Sequence, residues 1–246
     1  MNLHHDKEAF AELIIGAANE LAIPTNVIEK DYYVTITLKA LAEKTKDMVF
    51  KGGTSLTKCY QLLDRFSEDI DLSYTAESGM PGESRKKQLK NNIVSTMEEF
   101  GFPINNLETT RSRRNYNCYR ASYPSFYEQN GILKPEWVIE TYVAMLPFPT
   151  TKRMVDNYIY RFLREINRLD LAETYELMPF KITTQTIERT LVDKVFALCD
   201  YYMQEKTEQH SRHLYDIHKI VETMGISNEL PNLIPEVRAV RSEMIV

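Results

Sequence analysis

At 246 residues the chain is long enough for one large domain or two small ones that share an interface, and 43% hydrophobic residues allow a real core. Thirty Lys and Arg against 35 Asp and Glu leave a net charge of −5, which argues against a nucleic-acid coat and leaves only a local basic patch to meet any nucleic acid. Cys59, Cys118 and Cys199 form no Cys-x-x-Cys pair, so a zinc ribbon or thioredoxin-like site is unsupported and a reducing cytosol is expected.

The first residues are polar (His4, His5, Asp6, Lys7) and do not read as a signal peptide, and no run of about 18 apolar residues occurs to cross a membrane. A cytoplasmic protein with no membrane partner is the expectation. Phe10, Leu13, Ile14 and Ala17 recur at helical spacing, so residues 6–22 are expected to form a helix that Pro24 ends. A second helix is expected over 26–44. Met48-Val49-Phe50 reads as a short strand running into Gly52-Gly53, followed by a helix over 55–63, a strand over 70–74 and a loop over 75–84 holding Gly79, Pro81 and Gly82. A helix over 84–100 follows, then strands near 117–123 and 137–143, a helix near 155–168 and an extended piece over 180–184. From Ile187 the chain reads as helical, with Leu191, Val195, Leu198 and Tyr202 in one apolar stripe and Leu214, Ile217, Val221 and Met224 in another. No internal repeat or linker interrupts it. The pattern is α+β, not an alternating βαβ series. It divides into an N-terminal helical segment (1–46), a core (47–184) and a C-terminal helical region (185–246).

The chemistry concentrates in Phe50-Lys-Gly-Gly-Thr-Ser-Leu and in Arg65-Phe-Ser-Glu-Asp69-Ile-Asp71-Leu. Two glycines permit a tight turn into a helix whose first N–H groups and hydroxyls suit a phosphate. Side chains at i and i+2 of a strand share a face, so Asp69 and Asp71 point together while Ile70 enters the core. Two such carboxylates can hold a hard cation such as Mg²⁺. A lone Asp-x-Asp is often a solvated strand face and a lone Gly-Gly a plain turn; their order and spacing together carry the argument. By position, Ser67 shares the aspartates' face, Glu68 should face away, and Lys51 and Arg65 flank the turn, either to offset triphosphate charge or merely as surface residues.

This combination resembles the nucleotidyltransferase toxins of the AbiEii/AbiGii type, within the DNA polymerase β-like superfamily. The resemblance spans roughly 30–225 and is carried at its far end by Glu188-Arg-Thr-Leu-Val-Asp-Lys194 and by Arg212-His-Leu-Tyr-Asp216. This chain has His213 where the family commonly has Asp, while Asp216 keeps the second acidic position. The resemblance implies a polymerase β-like core with a small mixed or antiparallel sheet, Mg²⁺ (or Mn²⁺) as cofactor, and a nucleoside triphosphate as substrate. It also implies a toxin–antitoxin or abortive-infection role with a cognate antitoxin, and RNA, the 3′ end of tRNA, as acceptor. On it, Asp69 and Asp71 are catalytic metal ligands, and Gly52, Gly53, Thr54, Ser55, Lys51, Arg65 and Ser67 bind the nucleotide. Lys194, otherwise a snorkelling lysine at the edge of its stripe, would contact the triphosphate. Asp216, otherwise an i,i+4 surface partner of Arg212, would orient Lys194 or the nucleotide.

A third carboxylate is implied on a neighbouring strand, and Glu140 is the candidate, the only acidic residue in the middle of its strand; a solvent-facing position is the alternative. Arg111, Arg113, Arg114 and Arg120, interleaved with Tyr116, Tyr119 and Tyr123, could grip phosphates and stack bases, or be an arginine-bearing loop feeding an aromatic strand. A zinc site drawn from His210, His213, His218 and Asp216 has little support, since one helical face cannot gather them all. A haloacid-dehalogenase-type phosphatase fits poorly, because Arg65-Phe-Ser-Glu and not an apolar strand precedes Asp69. Transfer to a protein or a small molecule, and a catalytically silent nucleotide- or RNA-binding module, remain as alternatives.

Overall fold

The computed structural model describes residues 1–74, 82–127, 134–143, 146–206 and 211–242. Two helices, α1 (Lys7–Leu21) and α2 (Thr25–Lys44), precede β1 (Met48–Lys51), α3 (Gly52–Lys58) and β2 (Asp69–Tyr74). Next come α4 (Glu83–Glu99), β3 (Tyr116–Ser122), β4 (Glu136–Tyr142), β5 (Thr150–Val155), α5 (Tyr158–Glu165), α6 (Leu169–Thr174) and β6 (Phe180–Gln185). Three helices close the chain: α7 (Ile187–Met203), α8 (Ser211–Met224) and α9 (Leu230–Ser242). The six strands form one sheet in the order β3-β4-β2-β1-β6-β5. It is mixed: β1–β6 and β2–β4 run parallel, the other neighbours antiparallel. The α+β expectation therefore holds. No helix among the described residues is long and apolar enough to cross a membrane.

Local sequence explains most elements. Asp6 caps α1 by accepting from the Ala9 N–H at 3.1 Å, and the spaced Phe10, Leu13, Ile14 and Ala17 are all buried. Ile70 and Leu72 of β2 and Trp137, Ile139 and Thr141 of β4 alternate into the core, while Asp69, Asp71 and Glu140 face the other way. The larger apolar cluster runs through α1, α2 and the sheet; a smaller one joins Leu56 and Leu63 to Leu191, Ile220, Leu233 and Val237 of the C-terminal helices.

Several boundaries differ from the sequence reading. The expected 55–63 helix begins at Gly52 and ends at Lys58, because the turn into it is made by Gly52 itself at φ +77°. Residues 155–168 contain the end of an unforeseen strand and all of α5. That strand, β5, lies at the sheet edge with Lys152, Arg153 and Met154 exposed, so it lacks the alternation that announces a strand. Most of the 75–84 loop, with Gly79 and Pro81, lies outside the described residues. The C-terminal stripes are not the buried faces: α7 buries Arg189, Thr190, Leu191, Val192 and Lys194, and α8 buries Asp216 and Ile220, leaving Tyr202 and Leu214 exposed.

Helix α2 is polar where it is most buried, and each of three successive side chains grips a different segment. Glu29 accepts from Ser125 Oγ at 2.5 Å and from the Phe126 N–H at 3.1 Å. Lys30 pairs with Glu68 at 3.0 Å and donates to the carbonyls of Lys134 and Glu136. Asp31 pairs with Lys58, the last residue of α3, at 2.5 Å and accepts from the Tyr158 N–H at 3.0 Å. Lys58 also donates to the Asp156 carbonyl at 2.9 Å. The pair ties α3, and so the glycine turn, to the helices behind the sheet. Removing one partner strands a buried charge, so Asp31→Ala is expected to lose about 3–5 kcal/mol of stability. Urea denaturation checks this; a loss no larger than that of an exposed substitution would refute the brace.

Candidate active site

Pairing across the sheet places the polar residues in rows. Lys51 of β1 is opposite Asp71 of β2, Asp71 is in register with Glu140 of β4, and Glu140 is opposite Cys118 of β3. Directly paired residues present their side chains on one face, so Lys51, Asp71, Glu140 and Cys118 form one row across four adjacent strands. Asp69 stands one pair along on the same face, in register with Val138. Parallel β2–β4 pairing brings the two acidic strands side by side and sets Asp71 beside Glu140.

The glycine turn is packed against this row. A methyl group on Gly52 would lie 1.9 Å from Asp71 Oδ2, so the carboxylate occupies the space any other residue would fill. On Gly53 it would meet Arg65 Nη2 at 3.0 Å and Ser67 Oγ at 3.1 Å. The hydroxyls of the turn face inward. Thr54 Oγ1 donates to the Asp69 carbonyl and lies 2.9 Å from Ser67 Oγ, and Ser55 Oγ donates to the Gly52 carbonyl at 2.8 Å. Both side chains are fully buried. They therefore brace the turn, and neither hydroxyl is exposed at its surface.

Arg65 and Lys194 converge on one carboxylate. Arg65 makes a bidentate contact with Asp216 at 2.9 and 2.7 Å, and Lys194 Nζ lies 2.7 Å from Asp216 Oδ2. Asp216 is wholly buried and Lys194 nearly so, so Lys194 does not snorkel to water, and Asp216 is held by these two cations instead of lying on the surface beside Arg212. Burial alone would raise the Asp216 carboxyl, but hydrogen bonds and charge from Arg65 and Lys194 outweigh it and hold it below the usual carboxylate range. Asp71 shows the reverse. Burial pushes it up to about 7, with Lys51 opposing and Glu140 and Asp69 adding to the rise. Asp69 is raised by burial and by the charges of Glu68 and Glu140. Burial lowers the Lys51 amine against the pull of Asp71, and its ammonium stands 5.2 Å from the centre of the Tyr142 ring.

Three adjoining cavities follow the row. The first, 220 Å³, is lined by Lys51, Gly52, Gly53, Asp71, Lys194 and His213, with Gln185, Thr190 and Asp193 on its far side. The second, 410 Å³, shares Lys51 and Asp71 and extends to Tyr116, Glu140, Tyr142, Tyr201 and Arg241. The third, 380 Å³, shares Tyr116 and Glu140 and reaches Arg114 and Arg120. Asp69 and Ser67 lie beside the row without lining these cavities. Glu68 turns away to Lys30 as expected.

Of the four arginines read as an RNA grip, Arg114 and Arg120 face the third cavity, Arg120 also pairing with Glu136 at 3.1 Å. Arg111 donates to the carbonyls of Glu108 and Thr110, and Arg113 reaches Glu83 at 3.7 Å. Tyr119 and Tyr123 are core residues, 2% and 4% exposed, so neither can stack a base; Tyr116 at 47% can. Gln185, Arg189 and Asp193 escaped the sequence reading. Gln185 Nε2 and Arg189 Nε both donate to Asp193, at 2.7 and 3.1 Å. The i,i+4 spacing of Arg189 and Asp193 was the one available signal. His210 lies outside the described residues.

Oxygen donors are the right chemistry for Mg²⁺. Among the described residues no group of three or more His, Cys, Asp and Glu is arranged to hold an ion unaided. The protein's share would be one or two carboxylates completed by substrate phosphates and water, which is how Mg²⁺ is ordinarily bound.

A mixed sheet carrying acidic residues on neighbouring strands beside a glycine turn, with a buried lysine facing them, describes a nucleotidyltransferase. The chain belongs to the AbiEii family: the family model described as "Nucleotidyl transferase AbiEii toxin, Type IV TA system" matches residues 37–245, most of its length. The protein is thus a nucleotidyltransferase toxin of a type IV toxin–antitoxin system. No curated protein matches the chain.

Two outcomes follow from the charges. The unfolded chain releases the Asp71 proton near pH 3.8 while the folded protein holds it to about 7. Stability therefore falls as pH rises between these values and levels off above. Asp71→Asn removes that slope, so without added metal the variant should be more stable than wild type at pH 8, by on the order of 2 kcal/mol, with the gap closing toward pH 4. Thermal melts across this range test it; parallel curves would contradict it. Asp216→Ala leaves Lys194 buried without its anion and should lose about 3–5 kcal/mol, part of which Lys194→Met in the same chain restores; no recovery in denaturant titrations would show the pair is not the cause.

Proposed function

We propose that this toxin transfers a nucleoside monophosphate from a nucleoside triphosphate to an acceptor hydroxyl on RNA, the 3′ end of tRNA being the leading candidate, with Mg²⁺ (or Mn²⁺) as cofactor. The observation that carries this reading is the row Lys51–Asp71–Glu140 beside Gly52.

Asp71, with Asp69 or Glu140 as a second carboxylate, would hold the metal, and substrate phosphates and water would complete its shell. Bound there, the ion supplies charge for the phosphates and lowers the pKa of the attacking hydroxyl. The acceptor oxygen bonds to the α-phosphorus, the bond to the bridging oxygen breaks, and pyrophosphate leaves. Glu140 is placed to take the hydroxyl proton when it is not a ligand. Lys194, aimed by Asp216, offsets charge on the departing pyrophosphate. Arg65 acts through Asp216 rather than on phosphate. Lys51 and the backbone of Gly52 and Gly53 lie nearest the phosphates. The acceptor end enters from the third cavity, where Arg114 and Arg120 meet its phosphates. A small basic contact of this kind agrees with a net negative chain and an RNA end, not with a wrapped duplex. A nucleotide substrate and an antitoxin partner accord with the family.

Incubation with each labelled triphosphate, Mg²⁺ and total RNA, beside Asp71→Ala, tests the reading. Label on RNA with wild type alone is the expected result. Label on protein would move the acceptor to a protein hydroxyl. Nucleotide binding with no pyrophosphate released would make the chain a silent binding module.

A further inference from the structure

Strand β3 turns Tyr116, Cys118 and Arg120 to the same face as the acidic row, and Asn117, Tyr119 and Ala121 into the core. Cys118 is directly opposite Glu140, and Tyr116 is opposite Tyr142. Tyr116 and Glu140 are therefore diagonal neighbours, a separation that only a long side chain spans. The Tyr116 hydroxyl spans it, donating to Glu140 Oε1 at 2.9 Å. Among the described residues no other side chain or backbone group hydrogen-bonds or pairs with the Glu140 carboxylate. The nearby cation on the same strand as Tyr116 is committed elsewhere, since Arg120 pairs with Glu136.

Packing does not account for this tyrosine. It is 47% exposed and stands where the second and third cavities meet, lining both. A phenylalanine would fill the same volume without reaching the carboxylate.

We propose that Tyr116 is a positioning residue that acts through Glu140. Its hydroxyl holds one carboxylate oxygen and leaves the other facing the reaction. This rests on the transferase reading above, in which Glu140 is a metal ligand or base. Without the phenol, Glu140 regains the rotamers of a partly exposed glutamate, and the fraction of molecules with the carboxylate in place falls.

The test is a double-mutant cycle with Tyr116→Phe, Glu140→Gln and the pair together. Two quantities are measured. One is pyrophosphate release with total RNA as acceptor. The other is Mn²⁺ affinity, read from the free-ion paramagnetic signal in an equimolar mixture of the four α,β-methylene nucleoside triphosphates. Tyr116→Phe should lower kcat about tenfold with KM for the triphosphate changed less than about twofold, and weaken Mn²⁺ binding about threefold, roughly half of that loss on the free-energy scale. In the Glu140→Gln background the same substitution should change neither. A Tyr116→Phe protein that behaves as wild type, or whose cost adds in full to that of Glu140→Gln, overturns the proposal. If wild type releases no more pyrophosphate than Asp71→Asn, the transferase reading fails; the Mn²⁺ cycle then decides Tyr116 alone, coupling supporting it and additivity refuting it.

Discussion

Carboxylates set side by side on adjoining strands repel, and in a half-buried cleft that repulsion is weakly screened. Asp71 and Glu140 are so placed because β2 and β4 run parallel in register. Burial raises the Asp71 carboxyl most, and the charges of Glu140 and Asp69 add to the rise. The rest of the site is arranged around this unfavourable cluster: a lysine opposite Asp71, a glycine whose missing side chain admits the carboxylate, and a tyrosine at Glu140. Such an arrangement is worth keeping only where a cation or a substrate phosphate recovers the cost, which is the sense in which perturbed groups mark functional clefts.

Holding like charges together demands a stiff frame, and α2 supplies it from behind the sheet. Lys30 fixes Glu68, the residue before Asp69, and Asp31 fixes Lys58 at the end of α3. The glycine-turn helix and the segment leading into β2 are thus pinned by consecutive residues of one helix. Buried ion pairs add little net stability over apolar packing, but they specify geometry sharply, because an alternative placement leaves a charge unpaired.

The second half of the chain contributes through a single buried anion. Asp216 brings Lys194 of α7 and Arg65 of the segment before β2 to one point, so α8 must turn that side chain inward and leave Leu214 and Val221 outside. His213 lines the cavity with Asp71 and Lys194. The acidic residues lining this cavity are Asp71 and Asp193, with Asp193 held by Gln185 and Arg189.

Much was legible from the chain alone. Local rules decide the alternation that puts Asp69 and Asp71 on one face, the glycine pair, the spacing of α1 and the α+β order of elements, because each depends on residues within a turn or two of one another. The resemblance added the meaning of Lys194, Asp216 and Glu140. Long-range pairing decided the rest. Nothing in sequence says that β4 lies beside β2, that the Thr54 and Ser55 hydroxyls turn inward, or that Arg65 pairs with Asp216. Apolar periodicity misjudged parts of α7 and α8 because Lys194 and Asp216 share the inward faces of those helices with Leu191, Val192 and Ile220. Tyr116, Tyr119 and Tyr123 look alike in a row, and only the pleat and register of β3 on β4 separate two core rings from the one that reaches Glu140.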